Sequence, residues 1–200
     1  MAMQSANKSW RVVDIIVASI LGVACGFIFS FWNGAGYAWF SAMDSITPGL
    51  GGLAVGIWLL GGVIGGLVIR KRFAAIYVEV LAACVSALLG SQWSIETVYS
   101  GLAQGLGAEL IFMLFMYRKF DLKVAMLSGL GAGIGAWLLE LFLSANIAKG
   151  LDFNLIYLAC LCASGVLLAG LVGWLLVSAL AKTGALDRFG AGREQRAAEV

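Results

Sequence analysis

The sequence contains no histidine, and charged residues make up only 12% of it. The first absence removes the commonest metal ligand and the commonest general base. The second excludes a water-soluble domain, which needs about a quarter of its residues charged to cover its surface. Pro48 is the only proline. No Gly-Lys pair occurs, so the Walker phosphate loop is absent, and any ATP hydrolysis must come from a partner chain. The cysteines Cys25, Cys84, Cys160 and Cys162 lie in apolar stretches, show no zinc or redox spacing, and read as small apolar filler. No catalytic residue, cofactor, metal or nucleic-acid partner is expected.

Apolar residue types dominate instead, at 62% with a mean hydropathy of +0.96. Hydrocarbon is then the main solvent. A helix crossing about 30 Å of hydrocarbon needs roughly 20 apolar residues. Six segments qualify: Val12–Trp32, Leu50–Ile69, Phe73–Gly90, Thr97–Met116, Val124–Ser144 and Leu155–Ala181. The first is too long for a signal-peptide core and lacks a clean small-residue cleavage site, so it reads as a retained span. Connections are short except Asn33–Gly49, which holds Pro48. The expected fold is an all-α integral membrane protein, a six-transmembrane-helix bundle with both termini cytoplasmic. It forms one domain over residues 9–183, with tails at 1–8 and 184–200, the latter polar and expected to be mobile.

The basic residues set the orientation. Lys8 and Arg11 precede span one; Arg70, Lys71 and Arg72 join spans two and three; Arg118, Lys119 and Lys123 join spans four and five. Lys182, Arg188, Arg193 and Arg196 follow span six. Under this topology all twelve share one side and Lys149 alone lies on the other. Cytoplasmic loops carry the Lys/Arg excess, so that side is inside.

Small residues recur at four-residue spacing, as in Gly52 and Gly56, Gly61 and Gly65, Gly131 and Gly135, and Ala169 and Gly173. In lipid such stripes allow close backbone approach, chiefly within the bundle. The stripe of Ala18, Gly22 and Gly26 on helix one is read differently, as an outward docking face for another membrane subunit.

Three carboxylates fall inside spans: Glu79, Glu109 and Glu140. Each costs about 2.5–3.5 kcal/mol at a helix centre and needs a partner or a wet cavity. Arg72 and the Arg118–Lys119 pair lie within snorkelling reach of Glu79 or Glu109. Glu140, near the outer end of span five, has no such cation, which suggests an exogenous cation, a hydrogen-bond donor or protonation. Gln92 and Trp93 sit in the tight outer loop between spans three and four, with Gln104 about two turns into span four. Trp137 shares a helical face with Glu140, and Trp58 lies mid-span. Together they describe a pocket open to the outside, with aromatic faces for a flat ring and amides and carboxylates for its polar edge. Gln104 and Glu109, five residues apart, diverge by roughly 140° around a helix and are not expected to share a small pocket. Trp32, Trp39, Trp93 and Trp174 also suit simple interfacial anchoring.

The strings Trp10-Arg11-Val12-Val13-Asp14-Ile15-Ile16, Gly51–Trp58, Gly90-Ser91-Gln92-Trp93 and Gly101-Leu102-Ala103-Gln104-Gly105-Leu106-Gly107-Ala108-Glu109 resemble the YkoE-type substrate-binding (S) components of energy-coupling factor transporters. The resemblance runs from about Ser9 to Thr183. It implies a six-helix bacterial membrane protein that binds thiamine or its hydroxymethylpyrimidine precursor from outside. It further implies a transmembrane coupling (T) protein, two ATPases, and toppling of the S component in the bilayer. An alanine-rich stripe on helix one docks the coupling protein in such components; Ala18, Gly22 and Gly26 match it imperfectly. The residues alone leave two alternatives open: an ion-coupled secondary carrier relaying protons through the glutamates, and a purely structural membrane subunit.

Overall fold

The computed structural model describes residues 9–199; Lys8 and the 1–8 tail lie outside the described residues. Seven helices are present among them. They are α1 Val12–Ile46, α2 Leu50–Ile69, α3 Ala74–Leu88, α4 Glu96–Leu114, α5 Leu122–Leu143, α6 Leu151–Lys182 and α7 Gly190–Glu199. Helices α1, α2, α5 and α6 are long and apolar enough to cross a membrane, and α3 is a shorter apolar helix of 15 residues.

Two of these helices differ from the sequence expectation. The Asn33–Gly49 stretch is not an open connection, because α1 continues through it to Ile46. What stops the helix is Thr47-Pro48: a residue before proline is driven to extended geometry, and Thr47 has φ −148° and ψ 124°. Gly49 then takes φ 103° while its N–H donates to Asp44 Oδ1 at 2.7 Å. At the far end of the chain, the polar tail folds as α7 rather than trailing free. The Arg70 guanidinium donates to both carboxylate oxygens of Glu194, at 2.5 and 2.7 Å, and its cation sits 4.5 Å from the Phe120 ring centre.

Helix α2 forms the centre. Every residue from Leu60 to Ile69 is buried. Its first half, Leu50–Leu59, has the tighter 3₁₀ geometry and changes to α at Leu60. Runs of 3₁₀ beyond a few residues are uncommon and often mark functional segments. Helix α6 contains a π-helical stretch, Gly165–Leu171, pressed against α5. There a Cβ on Gly129 would collide with the Gly165 carbonyl, and one on Gly165 with that of Gly129. Only glycine at both positions lets these backbones meet.

The stripe on α1 also departs from expectation. Ala18, Gly22 and Gly26 are buried, and a Cβ on Gly22 would lie 2.8 Å from Leu81 while one on Gly26 would lie 2.5 Å from Val85. The small residues therefore admit α3 side chains and form an internal seam, not an outward docking face. Bulky Ile16, Ile20, Phe27 and Phe31 are among the exposed residues of α1.

One end of the bundle gathers the basic connections. Trp10 Nε1 donates to the Arg72 carbonyl at 3.0 Å, Arg11 lies over Phe189, and Arg70 joins Phe120 and Glu194. Trp10 and Arg11 before α1, the α2–α3 and α4–α5 connections and the segment after α6 thus meet.

Candidate functional site

A cavity of about 280 Å³ opens among α1–α6. That is near the lower end of the roughly 300–1,000 Å³ typical of small-molecule sites. Its aromatic wall is continuous. The Trp93 ring meets Trp58 edge-on at 5.7 Å and Tyr37 at 5.4 Å. Tyr37 stacks on Phe40, Phe40 meets Tyr157, and Tyr157 stacks on Phe153. The extension of α1 supplies Tyr37 and Phe40 to this wall, and Phe29, Asn33 and Tyr37 follow one another at four-residue spacing, on one helical face.

The polar groups are held by an ordered set of bonds. Trp58 Nε1 donates to Asn33 Oδ1 at 2.9 Å, and Asn33 Nδ2 donates to Ser86 Oγ at 3.0 Å. Glu79, 1% exposed, accepts the Gly62 N–H at 2.5 Å. The Gln104 amide is satisfied at both ends when its nitrogen donates to the Trp58 carbonyl and Glu79 Oε1, each at 3.1 Å, and its oxygen accepts from Ser100 at 2.7 Å. Gly62 N–H and the Trp58 carbonyl are i and i−4, natural partners in an α-helix. At the 3₁₀-to-α junction each meets a side chain, so Glu79 and Gln104 brace the turn that carries the Trp58 ring.

Glu140 is bonded differently. Tyr157 donates its phenolic hydrogen to Glu140 Oε2 at 2.6 Å. Lys149, 4.6 Å from the Phe153 ring centre, lines the same cavity, and the ion pairs among the described residues do not include Glu140. The Asn146–Lys149 turn folds back over the end of α5 and brings Lys149 there. Those ion pairs, Arg11–Asp14, Arg70–Glu194 and Arg196–Asp187, do not include Glu79 or Glu109 either.

Of the residues singled out in the sequence, the cavity brings together Trp58, Glu79, Trp93, Gln104 and Glu140. Gln92, Glu109 and Trp137 are not in its lining. Gln92 is exposed, and Trp137 packs against the core with its Nε1 buried and unpartnered. Glu109 accepts from the Phe73 and Ala75 N–H groups at 2.6 and 2.9 Å and from the Tyr117 hydroxyl at 2.6 Å. It caps α3 from a neighbouring helix, where orphan N–H groups and the helix dipole favour a carboxylate. Sequence reasoning missed Asn33, Tyr37, Tyr157 and Lys149. The spacing of Phe29, Asn33 and Tyr37 was a usable signal, hidden by reading residues after Trp32 as a loop.

An aromatic cavity with a polar edge, enclosed by apolar helices, defines a membrane protein that binds a small molecule. The family described as "ABC-type cobalt transport system, permease component" matches residues 13–135. The chain is 33% identical over 192 residues to the putative HMP/thiamine permease protein YkoE of Bacillus subtilis (strain 168), covering 94% of this chain and 92% of that protein. A crystal structure of an S-component of an ECF transporter superposes with a TM-score of 0.81 at 28% identity, covering 96% of this chain and 95% of the other. The chain belongs to this family of transport permease components and has the S-component fold of energy-coupling factor transporters. Such a component serves transport and is not an enzyme.

Proposed function

We propose that the cavity captures thiamine or its hydroxymethylpyrimidine precursor, for import by an energy-coupling factor complex. The observation that carries this reading is the wall of Trp58, Trp93, Tyr37 and Tyr157 around carboxylates and amides. An aminopyrimidine stacks on aromatic faces and offers donor and acceptor edges to Asn33, Ser100 and Gln104. Likeness to a putative HMP/thiamine permease supports the same class. A metal ion as cargo fits less well, since no group of three metal-ligating side chains occurs among the described residues.

In this reading α1–α6 make six crossings of a bacterial plasma membrane, with both termini cytoplasmic. The meeting of the Arg11, Arg70, Arg72 and Phe120 segments at one end, with Lys149 beside the cavity, supports the orientation through the positive-inside rule. The cavity then opens outward. A coupling (T) protein and two ATPases supply the work of translocation, because this chain has no nucleotide loop.

Purification in mild detergent followed by mass spectrometry of the released small molecules tests the ligand class. Thiamine or hydroxymethylpyrimidine at near-stoichiometric amount is expected. A different co-purified vitamin would overturn the assignment.

A further inference from the structure

The two cavity carboxylates are unequal in a way their sequence positions do not reveal. Glu79 has both oxygens committed to protein donors, Oε2 to the Gly62 N–H and Oε1 to the Gln104 amide. Glu140 has one oxygen committed, Oε2 to the Tyr157 hydroxyl. Its Oε1 accepts from no described residue and is not among the buried unpartnered atoms, so it remains open to an incoming group. Lys149 lines the same cavity.

Resting on the ligand class proposed above, we propose that Glu140 is the residue that reads the ligand's positive charge, whereas Glu79 is a positioning residue that holds the Trp58 turn. A carboxylate with a protein donor on each oxygen is held in place by the groups it braces and is less free to turn toward a cation. A carboxylate with a free oxygen beside a single lysine is different. Lys149 is the one cationic side chain among the lining residues, and a thiazolium would bring a second positive charge into the cavity. Glu140 thus favours thiamine over the uncharged precursor, Lys149 opposes that preference by repulsion, and Glu79 serves both ligands alike.

The discriminating experiment measures binding of thiamine and of hydroxymethylpyrimidine to the full chain by calorimetry, for wild type, Glu140→Gln, Glu79→Gln and Lys149→Ala. Glu140→Gln is expected to weaken thiamine by about tenfold or more, the scale of a lost close charge pair, with the precursor changed by less than about threefold. Glu79→Gln is expected to weaken both ligands by similar factors. Lys149→Ala is expected to raise the ratio of thiamine to precursor affinity, by removing the repulsion that only the thiazolium feels. Equal losses for both ligands in Glu140→Gln, or no change in the thiamine-to-precursor ratio in Lys149→Ala, would overturn the assignment while leaving the ligand class standing. Wild type binding neither compound overturns both.

Discussion

Tyr117 donates its hydroxyl hydrogen to Glu109 Oε1 at 2.6 Å, fastening the α4–α5 connection to the carboxylate that also caps α3. Removing that carboxylate orphans buried donors, each worth about 1–3 kcal/mol. Glu109→Ala is therefore expected to lower the thermal unfolding midpoint of the purified chain markedly, with ligand affinity of the folded fraction little changed. Thermal unfolding and calorimetry on the same preparation separate the two effects. Burial first, and then the Glu109 carboxylate, hold the Tyr117 phenol above its ordinary value. The native chain keeps a proton that the unfolded chain loses near pH 10. Stability is thus expected to fall as pH rises beyond about 10. Tyr117→Phe should lack that component.

Trp58 presents its ring to the cavity because Asn33 holds its indole N–H. Trp58→Phe keeps an aromatic face but drops the bond, worth about 0.5–1.5 kcal/mol. A several-fold loss in affinity for thiamine is expected. Asn33→Leu, which also strips the Ser86 partner and leaves the indole N–H unpaired, is expected to lose more.

The seam between α1 and α3 gives a test that needs no partner protein. Gly22 leaves room for Leu81, and a leucine at position 22 would overpack it. Overpacking costs typically about 1–3 kcal/mol. Gly22→Leu is expected to destabilise the isolated chain; an outward docking stripe would leave isolated stability unchanged and weaken only assembly.

Arg70 clasps α7 through Glu194, which is 69% exposed. Exposed pairs contribute roughly 0–1 kcal/mol and weaken with salt. Arg70→Ala is expected to speed amide hydrogen exchange across residues 190–199 without altering thiamine binding. Hydrogen-exchange mass spectrometry reads this directly.

Much of the fold was legible because the solvent is written into the composition. The stretch Leu50–Ile69 is helical over the same bounds as expected, and Arg11, Arg70 and Arg72 lie in segments that meet at one end. Three features were not legible. Asn33–Ile46 mixes glycine, polar and aromatic residues, so its apolar signal fades although the helix continues. The partner of a small-residue stripe depends on packing: Gly22 and Gly26 look alike whether they face α3 or another protein. Bond allocation is likewise tertiary, since nothing local tells that Glu109 spends its oxygens on α3 and Tyr117 while Glu140 keeps one free.

The most direct test of the central claim is titration of the purified chain, without ATP or coupling subunits, with thiamine while its tryptophan fluorescence is followed. Trp58 and Trp93 line the cavity, so a saturable change with a single binding isotherm is predicted, diminished in Trp58→Phe. A signal that never saturates, or none at all from ligand-free protein of native stability, would contradict the account.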